Sequence, residues 1–151
     1  MTAKEYLKQL QNIQLRINSL QKSIQLCQER AVGTGTRFSD ISAAQGNRNK
    51  IADNMAKKVD FESELMQLTD EFEKFRLRVI RQINCIPDNR YVSLLMNKYV
   101  NNMSWERVTE EIGEKNSEYV RKELHEKALK KFSEIIPENL RKSPKISLYS
   151  D

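Results

Sequence analysis

The stretch Ser104-Trp105-Glu106-Arg107-Val108-Thr109-Glu110-Glu111-Ile112-Gly113-Glu114-Lys115-Asn116-Ser117-Glu118 decides how this chain is read. Serine is a strong N-cap, because its hydroxyl accepts one of the backbone N–H groups that a first helical turn leaves unpaired. Ser104 therefore starts a helix, with Arg107 standing where a Glu would complete a capping box. Glu106 lies in the first turn, where a carboxylate suits the positive end of the helix dipole. Trp105, Val108 and Ile112 fall at gaps of three and four and give that helix one apolar face. Gly113 is the expected C-terminal stop. Glu114-Lys115-Asn116 is a short polar turn, and Ser117 caps a further helix that runs to about Ile135. Its buried face is Val120, Leu124, Ala128 and Phe132, at intervals of four.

Upstream, Tyr91, Leu94, Leu95, Lys98 and Tyr99 give helical spacing from about Asn89 to Val100, followed by the turn Asn101-Asn102-Met103. Residues 88–136 thus read as three helices, the last two joined by a tight turn containing Gly, which is a helix-turn-helix layout. The segment carries nine basic and nine acidic residues, so its total charge does not mark it as a nucleic-acid binder. The distribution does. Glu106, Glu110 and Glu111 make the helix from Ser104 acidic, whereas the helix from Ser117 carries Arg121, Lys122, Lys127, Lys130 and Lys131 against two Glu between Val120 and Phe132. In a major-groove geometry the early residues of the second helix reach base edges and later cations meet phosphates. That assigns Glu118, Tyr119, Arg121, Lys122 and His125 to the groove, and Lys127, Lys130 and Lys131 to the backbone. The plainer reading is that the charged face is only solvated, with Trp105 and Tyr99 in a core. His125, the one histidine, reads as a surface residue and makes neither a metal site nor a general base by itself.

Working back toward the N-terminus, Ile86-Pro87-Asp88 ends a helix and begins another, since proline disfavours helix at the preceding residue and Asp88 is a good cap. A domain boundary is expected there. Residues 1–86 read as two long helices, from Ala3 to Ala31 and from Arg48 to Ile86. The first has Tyr6, Leu10, Ile13, Ile17, Leu20, Ile24 and Cys27 at alternating gaps of four and three, a heptad seam on a rod of about 44 Å. The second has Phe61, Leu65, Leu68, Phe72, Phe75 and Val79 in the same rhythm, while Ile51, Met55 and Val59 step by four and drift out of phase. Seams this narrow need a partner helix, either each other in an antiparallel coiled-coil hairpin or a second copy of the chain. Residues 32–47, with Gly33-Thr34-Gly35-Thr36, read as a long loop. It is not a phosphate loop, because no strand precedes it and no Gly-Lys-Ser/Thr follows. Residues 137–151 read as a flexible polar tail with three basic residues, a candidate nonspecific phosphate-binding arm.

The 151 residues are 38% hydrophobic and 31% charged, which suits narrow apolar seams on long helices rather than one large spherical core. A net charge of +5 mildly favours a polyanionic partner. No apolar run approaches the roughly 18 residues that a membrane span needs, and Met1-Thr2-Ala3-Lys4-Glu5 does not resemble a secretion signal. Cys27 and Cys85, inside helical patterns, read as buried free thiols in a reducing cytoplasm. An enzyme is not indicated: there is no nucleophile–base set, and Glu110 and Glu111 are adjacent, so they do not face each other across a site. No cofactor and no metal are expected.

Tyr91-Val92-Ser93-Leu94-Leu95-Met96-Asn97-Lys98-Tyr99-Val100, then Met103-Ser104-Trp105-Glu106-Arg107-Val108 and Glu110-Glu111-Ile112-Gly113, resemble region 4 of sigma-70-type factors. They resemble more closely a group of small phage and prophage proteins of Gram-positive bacteria, late-gene transcriptional activators of the ArpU and RinA type. The layout is similar across the whole chain, and Leu124-His125 to Ala128-Leu129 is among its specific parts. The resemblance implies an all-α fold, an N-terminal helical hairpin followed by a three-helix helix-turn-helix domain. It implies a phage-encoded regulator that binds double-stranded DNA near a late promoter and touches host RNA polymerase. Because a lone module of this size binds weakly, self-association as a homodimer or higher oligomer through the N-terminal helices is expected to add affinity. One departure is that Glu114-Lys115-Asn116 makes the turn about two residues longer than in the group, so the last helix is expected to start or rotate differently. Two other readings share the pattern: a small terminase-like DNA-packaging subunit, and a helical adaptor that binds no DNA.

Overall fold

The computed structural model describes residues 1–33 and 41–144. It is all-α, with no strand among the described residues. Helix α1 is Ala3–Gly33, α2 Ile41–Ile83, α3 Asn89–Leu95, α4 Trp105–Glu111, α5 Ser117–Tyr119 and α6 His125–Ile135. A π-turn, Met96–Val100, extends α3, and another, Val120–Leu124, joins α5 to α6, so residues 117–135 form one composite helix. A single 3-10 turn, Glu138–Leu140, follows.

The chain divides into two compact units, and not at Pro87 as expected. One unit takes residues 1–14, including the start of α1, together with everything described from Glu71 onward. The other takes the remainder of α1 and α2 up to Asp70. The Pro87 joint does not separate domains because Ile83 and Ile86 on one side of it, and Leu94 and Leu95 on the other, are all buried.

In the first unit the core forms around Tyr6, which has no solvent exposure. Its ring meets Phe75 of α2 edge-on at 5.5 Å and stacks near Phe132 of α6 at 6.1 Å. Both are favourable quadrupole arrangements, each contributing about 0.5–1.5 kcal/mol beyond area burial. The phenol donates to Gln82 Oε1 at 2.7 Å, which satisfies a hydroxyl that is expensive to bury alone. Leu7, Val79, Leu94, Leu95, Val108, Val120 and Leu124 complete the apolar centre. In the second unit Ile17, Leu20, Cys27 and Leu68 are buried, whereas Met55 and Val59, which drift out of phase, are exposed.

The ends of the elements follow side-chain chemistry. Thr2 and Glu5 form a reciprocal capping box at the start of α1, with Glu5 N–H donating to Thr2 Oγ1 at 3.1 Å and Thr2 N–H to Glu5 Oε2 at 2.9 Å. Asp88 caps α3 by accepting from Arg90 N–H, and Ser104 caps α4 by accepting from Arg107 N–H. Gly113 has φ +78, the left-handed conformation that only glycine adopts without strain, and it lets the chain turn from α4 into α5. The composite helix is capped one residue earlier than expected. Asn116 Oδ1, not Ser117, accepts from the N–H groups of Glu118 and Tyr119.

Two further expectations fail. Residues 32–47 are not one loop, since α1 continues to Gly33 and α2 begins by Ile41; residues 34–40 lie outside the described residues. Ala43, Ala44 and Gln45 are good helix formers and outweigh Gly46, which costs only about 1 kcal/mol relative to alanine. Nor are residues 137–144 a free tail. Arg78 donates to the Lys142 carbonyl at 2.6 Å, Gln82 to the Leu140 carbonyl at 3.2 Å, and Gln9 to Ser143 Oγ at 2.9 Å. The rest of the expected tail, 145–151, lies outside the described residues.

The cap assignment predicts that Asn116→Ala costs about 1 kcal/mol, lowering the melting temperature by about 3 °C, while Ser117→Ala is near neutral. Calorimetry of the two variants checks this, and equal losses would contradict it.

Candidate nucleic-acid interface

The composite helix 117–135 divides sharply between two faces. Val120, Leu124, Ala128 and Phe132 are fully or almost fully buried, and α3 packs on α6. Regular helix would carry residues four apart about 40° further round at each step. The π-turn Val120–Leu124 fits an extra residue into one revolution, with Val120 and Leu124 both on the core side. The same turn leaves Arg121 and Lys122 exposed, and Lys127 and Lys130 are exposed further along α6.

The eight residues expected at the interface therefore fare differently. Glu118 is exposed and forms a surface pair with Lys122 at 2.8 Å, an (i, i+4) contact that contributes no more than about 0.5 kcal/mol. Tyr119 is half-buried at the first turn. Arg121, Lys122, Lys127 and Lys130 are available to a partner, and Lys131 is half-buried beside Glu134 at 3.8 Å.

His125 is not where it was expected. It is 5% exposed and cannot read a base edge. Its Nε2 lies 2.6 Å from the Tyr99 hydroxyl, its ring stacks near Tyr99 and it meets Trp105 edge-on at 4.7 Å. It also hydrogen-bonds the Arg121 backbone. Burial and the neighbouring Lys4 push its pKa down from the ordinary 6.5 to about 4, with Lys98 adding to the fall, against the opposing pull of Glu126 and the Arg121 hydrogen bond. The ring is thus neutral near pH 7, accepting from Tyr99 at Nε2. The Tyr99 phenol is itself pushed up to about 12, by burial and by Glu126. Tyr99, as anticipated, belongs to the core. Trp105 does so only in part, since it is half-buried with Lys98 Nζ over its ring at 4.7 Å.

Beside this aromatic cluster is a cavity of about 510 Å³. Arg121, Lys122 and Glu126 of the composite helix form one wall, Lys4, Lys8 and Gln11 of α1 the other, and Lys98, Tyr99, Trp105 and His125 the floor. Lys98 is fixed there, donating to the Met103 carbonyl at 3.3 Å. Burial lowers its pKa, with Lys8 contributing and Glu106 opposing. A second depression of about 580 Å³ continues along α6, lined by Thr2, Ala3, Lys4, Glu126, Lys127, Leu129, Lys130 and Ser133. Lys4 and Glu126 line both. Sequence reading missed Lys4, Lys8 and Lys98. The signal for the first two was slight: two lysines four apart on the side of α1 next to its apolar seam.

Among the described residues, no group of three or more His, Cys, Asp and Glu is placed to hold a metal ion, and no helix is long and apolar enough to cross a membrane. Both cysteines are free, but Cys85 is exposed rather than buried, because it lies in the turn after α2. No family model, curated protein or solved structure matches the chain.

The pKa of His125 sets the sign of a pH effect. The unfolded chain takes up a proton near 6.5 and the folded chain only near 4, so stability is fully present above about pH 6.5 and is lost on acidification through that window. At about 1.4 kcal/mol per pKa unit the loss is bounded at roughly 3 kcal/mol. His125→Gln, which still accepts from Tyr99, is expected to melt with a shallower pH dependence between 6.5 and 4 than the native chain. Calorimetry across that range would refute the assignment if the two slopes coincide.

Proposed function

We propose that this chain is a DNA-binding transcription regulator that inserts the N-terminal part of the helix 117–135 into the major groove. What carries this reading is the partition of that helix. Its apolar stripe is held against the core while Arg121, Lys122, Lys127 and Lys130 face outward, directly after a short helix and a tight glycine turn. The acidic side chains Glu106, Glu110 and Glu111 lie on the preceding helix, so duplex DNA is attracted to one side of the module and repelled from another. Base contacts fall to Glu118, Tyr119, Arg121 and Lys122, and phosphate contacts to Lys127 and Lys130. The likeness of residues 91–113 to region 4 of sigma factors, and of the whole layout to phage late-gene activators, extends the proposal. On that basis the chain acts at a late promoter, contacts the host polymerase, and self-associates through an N-terminal hairpin of α1 and α2.

A duplex site selected from a random pool provides the test. Replacing Arg121 and Lys122 together with alanine is expected to weaken binding to that site by at least about thirtyfold, on a scale of about 1–3 kcal/mol per base contact. Helical circular dichroism should not change, since both side chains are exposed. Undiminished affinity would overturn the proposal.

A further inference from the structure

The cavity between α1 and the composite helix contains more positive charge than the fold requires. Lys4, Lys8, Lys98, Arg121 and Lys122 line it against one carboxylate, Glu126. Among the described residues, Lys4, Lys8 and Arg121 form no ion pair, and the one partner of Lys122 is Glu118 on the exposed side of its own helix. Like charges gathered around one space repel one another, and the effect is registered within the protein, where Lys4 disfavours the charged form of His125 and Lys8 that of Lys98, the latter against a larger opposing pull from Glu106. An arrangement of this kind is relieved by an anion.

The shape favours an extended anion over a compact one. The adjoining depression shares Lys4 and continues to Lys127 and Lys130, so the cations follow the length of the helix rather than converging on a point. Lys122 and Lys130 are eight residues apart, a rise of about 12 Å along the helix, which is longer than a single phosphate group. The start of α1 is closed by its own capping box, so the lysine side chains, not its terminal N–H groups, present the charge.

We propose that this groove is a track for one strand of the duplex, in which Lys4 and Lys8 of α1 hold backbone phosphates alongside the groove entered by the composite helix. The inference rests on the DNA-binding reading above. It makes the interface composite: the N-terminal turn of the chain supplies sequence-independent affinity and the residues after Asn116 supply selection.

The experiment is fluorescence anisotropy of the full chain on a selected and a random duplex between 50 and 200 mM salt. Each phosphate contact contributes about 0.9 to the slope of log affinity against log salt. Lys4→Gln with Lys8→Gln should make that slope shallower by about 2 and weaken both duplexes by the same factor, leaving their ratio unchanged. Lys4→Arg with Lys8→Arg should restore the slope. Replacing Arg121 and Lys122 instead should reduce the ratio. An unchanged slope in the glutamine variant, with the native chain still binding DNA, would overturn the track and leave the DNA-binding reading standing. Absence of duplex binding by the native chain would remove both. Competition by a nucleoside triphosphate that is lost in the glutamine variant, without any change in the duplex slope, would assign the cavity to a small ligand and also overturn the track.

Discussion

A single buried ring sets the geometry on which the rest of the larger unit depends. Tyr6 lies against Phe75 of α2 and Phe132 of α6, and its hydroxyl is tied to Gln82. Gln82 in turn donates to the Leu140 carbonyl. One side chain from the second turn of the chain therefore connects the end of the second helix, the last helix and the segment after it. Truncating such a ring would cost about 3–5 kcal/mol through lost transfer energy and an unfilled cavity. Its consequence for function is positional. Fixing Tyr6 against Phe132 brings the other side of the same helix, with Lys4 and Lys8, alongside Arg121 and Lys122.

The two π-turns perform a related task at the other side of the composite helix. Tyr99 lies in the first and His125 directly follows the second, and their side chains meet at 2.6 Å. π-Turns are rare because they open the regular hydrogen-bond ladder, and they persist where a wide turn aims particular side chains. Here the wide turn at Val120–Leu124 lies where Val120 and Leu124 both reach the core and Arg121 stays outside.

Features carried by periodicity and by local caps were legible in the sequence. The α1 seam from Tyr6 to Cys27 is buried except for half-buried Ile24, and Asp88, Ser104 and Gly113 act where their chemistry put them. What escaped depends on main-chain acceptors or on distant partners. The docking of residues 137–144 uses backbone carbonyls, which leave no mark in a sequence. Asn116 and Ser117 are both good caps, and only the path of the turn decides between them. His125 was misread because polarity suggested exposure, whereas Tyr99 supplies the partner that allows a neutral imidazole to be buried. The candidate interface was half legible: the cations of the composite helix were visible as a local excess, but Lys4 and Lys8 are more than a hundred residues away in the chain.

That distance also bears on the charge balance. Residues 88–136 are neutral in total, a poor starting point for the proposed approach to a polyanion. The fold does not set residues 88–136 apart as a compact unit of their own. By taking residues 1–14 into the same compact unit, the chain adds Lys4 and Lys8 next to Arg121 and Lys122, while the acidic residues of α4 contribute no lining to that cavity. On the DNA-binding reading, burial of His125 removes one base-reading position from the composite helix, so fewer side chains remain for selection. Affinity must then come to a larger extent from phosphates, and the side chains able to supply it are those brought in from the start of the chain. On that reading, packing on Tyr99 and Trp105 withdraws the histidine from the groove, while packing of Tyr6 on Phe132 delivers the two lysines beside it.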